Sequence, residues 1–88
     1  MDLPATVRIT NDALKEMAET PTVIQGRIAE IIERLTNWPA VSGAKPLRGN
    51  LAGNYRIRTG DYRIVFTVSA DGTNVKIWKI GHRGGVYD

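Results

Sequence analysis

Three arginines stand close together where the chain alternates apolar and polar residues: Arg56 and Arg58 in YRIRT (55–59), and Arg63 in YRIVFTV (62–68). A period of two places residues i and i+2 on one face of an extended strand. Arg56 and Arg58 would therefore project together, ~6.6 Å apart, about one phosphate step. Gly60-Asp61, between the two segments, has the composition and length of a hairpin turn. A two-residue loop there opposes Arg58 to Arg63, Ile57 to Ile64, Arg56 to Val65 and Tyr55 to Phe66. The same loop at Asp71-Gly72 opposes Val68 to Val75 and Phe66 to Ile77, in a third segment, NVKIWKI (74–80). Both hairpins send the apolar residues to one face and the arginines to the other, so the two registers support each other.

Like charges directly opposed, as Arg58 and Arg63 would be, destabilise a sheet. A fold does not need that pair, whereas an anionic ligand would use it. The alternative is a solvated face with splayed side chains, which requires no ligand. Strict alternation also puts Trp78 in the row of Arg56 and Val65. An indole beside guanidinium groups suits single-stranded RNA, whose bases stack while its phosphates pair with arginine. The tail or loop would equally cover Trp78 as a second small core, so Trp78 is not counted among the site residues. The C-terminal GHRGGVYD (81–88) adds His82, Arg83 and Tyr87 within a few residues, and matches neither a dinucleotide fingerprint nor a P-loop.

These side chains need a scaffold. ATVRIT (5–10) reads as a short strand and NDALKEMAE (11–19) as a helix whose Leu14, Met17 and Ala18 share a face. Thr20 suits an N-cap and Pro21 the first position of a second helix, roughly 21–37. Its Ile24, Ile28, Ile31, Ile32 and Leu35 form one apolar stripe, and Trp38-Pro39 ends it. Residues 39–53 read as a loop. The expected fold is α+β, in the order β-α-α-β-β-β: a mainly antiparallel sheet with two helices packed on one face.

The 88 residues form one domain, 1–88, because a chain this short does not build two cores. The absence of cysteine excludes disulfides, zinc fingers and thiol nucleophiles, and one histidine leaves no credible metal cluster. The longest apolar run, Ile64 to Phe66, is too short to span a membrane. MDLPATVRIT lacks the features of a signal peptide, so a cytoplasmic location is expected. Charge is polarised: residues 1–44 carry six acids and four bases (−2), residues 45–88 three acids and eight bases (+5). Such asymmetry fits one half facing a polyanion, or simply basic residues keeping a small domain soluble.

The run KPLRGNLAGNYRIRTGDYRIVF followed by VKIWKIGHRGGVY resembles the RelE branch of the RelE/ParE superfamily of bacterial toxins, and the likeness covers essentially the whole chain. The resemblance implies a ribosome-dependent endoribonuclease (an mRNA interferase) that uses the 2′-hydroxyl to attack the adjacent phosphate and so stops translation. It also implies a cognate antitoxin as partner, in a toxin–antitoxin hetero-oligomer, with the ribosome and mRNA as targets and no cofactor. Position by position, Arg56, Arg58 and Arg63 match the family's basic residues on the first two strands of the meander. Arg83 matches its arginine after the last strand, and Tyr87 its C-terminal tyrosine. Arg63 and Arg83 would neutralise phosphoryl oxygens, and Tyr87 would stack on or orient the target nucleotide.

Some RelE-type toxins carry lysines where this chain has Arg56 and Arg58. Arginine stays protonated, so neither serves as a general base. His82 is the candidate base or acid, being the one side chain whose ordinary pKa lies near neutrality. The alternative is a site that works by electrostatics and positioning, with proton transfer left to water or the RNA. Two other readings share the fold: a ParE-like toxin that poisons DNA gyrase without cutting RNA, and an inactive antitoxin-binding homologue.

Overall fold

A computed structural model of the chain describes residues 3–82; Arg83 and Tyr87 lie outside the described residues. The elements are β1 (Thr6–Ile9), α1 (Asn11–Ala18), α2 (Thr22–Leu35), β2 (Lys45–Pro46), a 3-10 turn (Gly49–Leu51), β3 (Asn54–Thr59), β4 (Tyr62–Val68) and β5 (Asn74–His82). The strands form one sheet in the order β1-β5-β4-β3-β2. All neighbours are antiparallel except β1 and β5, which run parallel. The α+β order is the expected one with two additions, the strand β2 and the 3-10 turn. The stretch expected to be loop supplies β2, where Lys45 pairs with Arg56 and Pro46 with Tyr55. Proline is tolerated there because β2 is the sheet edge.

The core lies between the helices and one sheet face. Ile28, Ile31 and Leu35 of α2 are buried against Ile57, Ile64, Phe66, Val75, Ile77 and Ile80, with Ile24 and Ile32 packed at the margin. This is the stripe the α2 periodicity predicts. α1 behaves differently. Thr10 caps it by accepting a hydrogen bond from the Ala13 N–H (3.1 Å). Its buried residue is Ala13, with Met17 beside it, while Leu14 is 52% exposed and Ala18 also faces solvent. The expected Leu14–Met17–Ala18 face is thus rotated, and the bond made by Glu16, described below, accounts for the rotation.

Thr20 is not the cap of α2. Its hydroxyl donates to the Met17 carbonyl (2.7 Å) and closes α1, so Pro21 takes the N-cap position without a side-chain bond. Beyond α2, Trp38 folds back onto the sheet. Its ring meets Tyr55 and Phe66 edge-on at 4.7 and 5.6 Å, and Tyr55 stacks on Phe66 at 5.7 Å. Such aromatic contacts add to the burial of the rings and close the open end of the core.

The first hairpin has the expected register throughout, from Tyr55↔Phe66 to Thr59↔Tyr62. Gly60 takes φ 58°, as the first loop position of a type II′ turn demands. The second hairpin begins as expected, with Val68↔Val75 and Phe66↔Ile77, and then slips by one: Val65 pairs with Lys79 and Ile64 with Ile80. Trp78 is the extra residue of this β-bulge. It does not stand opposite Val65, so the row drawn from strict alternation is corrected here. Two residues against one reset the parity of the strand. Val75 and Ile77 face the core, and after the bulge Ile80 faces it too. Unbroken alternation would have sent Lys79 there instead.

Candidate active site

The sheet face away from the helices carries two transverse rows. One runs Lys45–Arg56–Val65–Lys79 and the next Arg58–Arg63–Gly81. Partners in such rows have Cα atoms ~4.5–5.5 Å apart, and Arg56 and Arg58 are separated by ~6.7 Å along β3. Arg56, Arg58 and Arg63 are therefore brought together on one side of the sheet, with Arg58 directly opposite Arg63. Their environments differ. Arg63 is 3% exposed and Arg56 9%, while Arg58 is open to solvent. A solvated face of splayed arginines does not fit those burials. A guanidinium with little water around it is weakly screened, so its field at a neighbouring phosphate is stronger than that of a surface arginine.

Two lysines join these rows that sequence reasoning did not single out. Lys45 sits in β2, a strand of two residues and too short to show any period. Lys79 enters opposite Val65 through the bulge, and its Nζ lies 2.6 Å from Glu16 Oε2. Glu16 Oε1 also accepts from the Ile80 N–H (3.1 Å). β1 ends its pairing at Ile77, so among the described residues no strand lies beside the outer edge of β5 beyond that point. The Glu16 carboxylate takes that place and fixes the bulge. Ile77 and Ile80, three apart, were the sequence signal for the slip.

Trp78 bridges the sheet. Its Nε1 donates to Asn54 Oδ1 (2.8 Å) on β3, so the indole crosses β4. Asn54 Nδ2 in turn donates to the Leu51 carbonyl (3.0 Å), tying the 3-10 turn to the same span. This accounts for the complete burial of Val65 on the face that the helices do not cover. Trp78 thus belongs to a small second core tied to the loop through Asn54; the tail, the other cover expected of it, lies outside the described residues.

His82 stands apart from the arginines. Gly81 is the partner of Arg63, whereas His82 is the partner of Tyr62, whose ring it meets edge-on at 5.2 Å. Tyr62 shares the face of Ile64, the helix side of the sheet, so alternation places His82 on the opposite face from Arg58 and Arg63. A cleft of about 310 Å³ at this end of the sheet is lined by His82, Tyr62, Thr20, Glu16 and Glu19. Among the described residues of the strand positions on the arginine face there is no Asp, Glu or His. Also among them, no helix is long and apolar enough to cross a membrane.

A small, mainly antiparallel sheet thus carries helices on one face and clustered cations on the other, and comparison with known proteins gives this architecture a family. A family model described as the ParE toxin of type II toxin-antitoxin system, parDE, matches residues 7–87, and the chain belongs to that family. Within it the chain is RelE-like. It is 31% identical to Toxin RelG of Mycobacterium tuberculosis over 85 residues, covering 97% of this chain and 98% of that protein. It is 34% identical to Toxin RelE of the same organism over 87 residues, covering 98% and 89%. Among solved structures, the toxin–antitoxin complex RelBE2 from Mycobacterium tuberculosis superposes with a TM-score of 0.79 at 33% identity, covering 92% of this chain and 100% of that one. The archaeal RelE–RelB complex from Pyrococcus horikoshii gives 0.75 at 26% identity, covering 96% and 100%. The protein is a RelE-like toxin of a type II toxin–antitoxin module.

Proposed function

We propose that this toxin is a ribosome-dependent mRNA endoribonuclease acting in the cytoplasm, with Arg56, Arg58 and Arg63 as the described part of its active site. The observation that carries the reading is the burial of Arg63 directly opposite Arg58 and beside Arg56. In the reaction a ribose 2′-oxygen bonds to the adjacent phosphorus while the bond from phosphorus to the 5′-oxygen breaks. The products are a 2′,3′-cyclic phosphate and a free 5′-hydroxyl; the proton lost by the 2′-hydroxyl is balanced by one gained at the leaving oxygen. Charge accumulates on the non-bridging oxygens, where fixed guanidinium groups act without reorganisation. None of the three arginines accepts a proton. His82 lies across the sheet, so proton transfer is assigned to water or the RNA, with the ribosome supplying the alignment. Arg83 and Tyr87 join the site by resemblance, as a further phosphate ligand and as the group that orients the nucleotide.

The partner is a cognate antitoxin, as in the RelBE2 and RelE–RelB complexes, and an acidic segment masking the arginine face would silence the site. In a ribosome-dependent cleavage assay, Arg63→Ala and Arg58→Ala should each cut mRNA about 10²–10³-fold more slowly, the scale for removing one charge stabiliser. Arg58 is exposed, so its variant keeps the fold whatever Arg63→Ala does. Wild-type rates in both would refute the site assignment. The family description names the ParE toxin, which gives the gyrase reading its support. DNA damage with intact mRNA on induced expression would establish that reading instead.

A further inference from the structure

We propose that Arg8 and Lys76, at the far end of the same sheet face, form a second RNA-binding point that holds the single strand flanking the cleavage site. Arg8 and Lys76 are partners across the parallel β1–β5 pair, and both are exposed. Among the described residues neither has an acidic partner. They share the arginine face, because Val7, Ile9, Val75 and Ile77, their neighbours in each strand, face the core.

This is the third like-charge pair among the described residues of that face, after Arg58–Arg63 and Lys45–Arg56. Each costs sheet stability, and an ordinary solvated strand would place a neutral or opposite-charge residue there. Lys76 continues across the sheet to Thr67 and Asn54, neutral groups that add no repulsion and supply hydrogen-bond capacity. Four residues of β4 separate the Arg63 row from the Thr67 row, ~13 Å along the strand, or roughly the reach of two to three nucleotides. Between them lies the Trp78 indole, pinned by Asn54, whose apolar body suits a base and whose position suits a strand passing from one cationic row to the other. Among the described residues the strand positions of this face carry no carboxylate, Glu16 reaching it from α1 at Lys79, and cations stand at both ends, which fits an extended polyanion better than a single phosphate.

The inference rests on the nuclease reading, and binding separates the two. The probe is single-stranded RNA methylated at every 2′-oxygen, which cannot be cut, in lengths of about four and about twelve nucleotides. Affinity is measured by fluorescence anisotropy across a salt series with the full chain, the Arg8→Gln/Lys76→Gln double variant and Arg58→Ala. For the long RNA, the double variant should flatten the slope of log K against log salt by about 1.4, or ~0.7 for each phosphate no longer neutralised. For the short RNA, seated at the arginines, the slope should stay unchanged. An unchanged slope on the long RNA, with Arg58→Ala weakening both lengths, overturns this inference and leaves the nuclease reading standing. Failure of the wild-type chain to bind either RNA at low salt overturns this inference, while the ribosome-dependent cleavage assay decides the nuclease reading separately. Loss of antitoxin affinity in the double variant, with RNA affinity intact, overturns the proposal by assigning this end of the face to the antitoxin.

Discussion

Asp71 shows how far a single side chain can organise a turn. Its Oδ1 accepts from the Ser69 hydroxyl (2.7 Å), the Thr73 hydroxyl (2.8 Å) and the Thr73 N–H (3.1 Å), and Ser69 Oγ accepts from the Asn74 N–H (3.0 Å). The hydrogen bond from Ser69, then those from Thr73, favour the ionised carboxylate and lower its pKa from 3.8 to about 2. A carboxyl depressed in the folded state stabilises it above the unfolded pKa, and that contribution is lost as pH falls through the folded one. The turn between β4 and β5 should therefore hold unchanged from neutrality to about pH 4, and loosen between there and about pH 2. The Thr73 amide resonance, followed by NMR, should titrate with a midpoint near 2 and stop titrating in that range in Asp71→Asn. A midpoint near 4 would mean that the three bonds do not persist in solution. The same hairpin carries the strands that present Arg63 and Lys79, so its rigidity matters beyond the turn.

At the level of elements, legibility followed the strength of the physical signal. The β3–β4 register was readable because the turn dipeptide Gly60-Asp61 and the parity of Tyr55, Ile57, Ile64 and Phe66 both fix it. That register alone puts Arg58 opposite Arg63, so the heart of the candidate site was legible. The bulge at Trp78 was not, because a strict period of two cannot express an extra residue, although the three-residue spacing of Ile77 and Ile80 marks it. β2 was too short to show a pattern, and Lys45 was missed with it. α1 was misoriented because a helix with apolar residues at 13, 14, 17 and 18 has two nearly equivalent faces. A tertiary bond, from Glu16 to the Ile80 N–H, selects between them.

That bond is open to test. Glu16→Ala leaves the amide of the buried Ile80 and the end of the bulge without their acceptor, and should cost about 1–2 kcal/mol in urea denaturation. Glu16→Gln keeps an acceptor for the amide and loses only the partly exposed pair with Lys79, so it should cost less than about 1 kcal/mol. The Ile80 amide should lose its hydrogen-exchange protection in the alanine variant and retain it in glutamine. Equal stability of wild type and Glu16→Ala would show that the strap does not hold the bulge.

The whole molecule has unlike sides. The helices mix Asp12, Glu16, Glu30 and Glu33 with Lys15, Arg27 and Arg34, while the exposed side of the sheet carries Arg8, Lys45, Arg58 and Lys76 with the buried Arg56 and Arg63 between them. Cations clustered on one face repel one another within a Debye length of ~10 Å at 0.1 M salt, so screening should relieve the repulsion. The melting temperature of the free toxin should accordingly rise with added sodium chloride, and rise less in the Arg8→Gln/Lys76→Gln variant. A polyanion that binds the folded face should stabilise further, by about 2.7 kcal/mol at a hundred times its dissociation constant. Uncleavable single-stranded RNA at low salt should raise the melting temperature of wild type and lose that effect as salt is added. The two effects of salt thus have opposite signs, and one titration separates them: stabilisation of the free chain and destabilisation of the RNA complex. A free toxin whose melting temperature falls with salt would show that attractive pairs such as Glu16–Lys79 outweigh the repulsion on the cationic face.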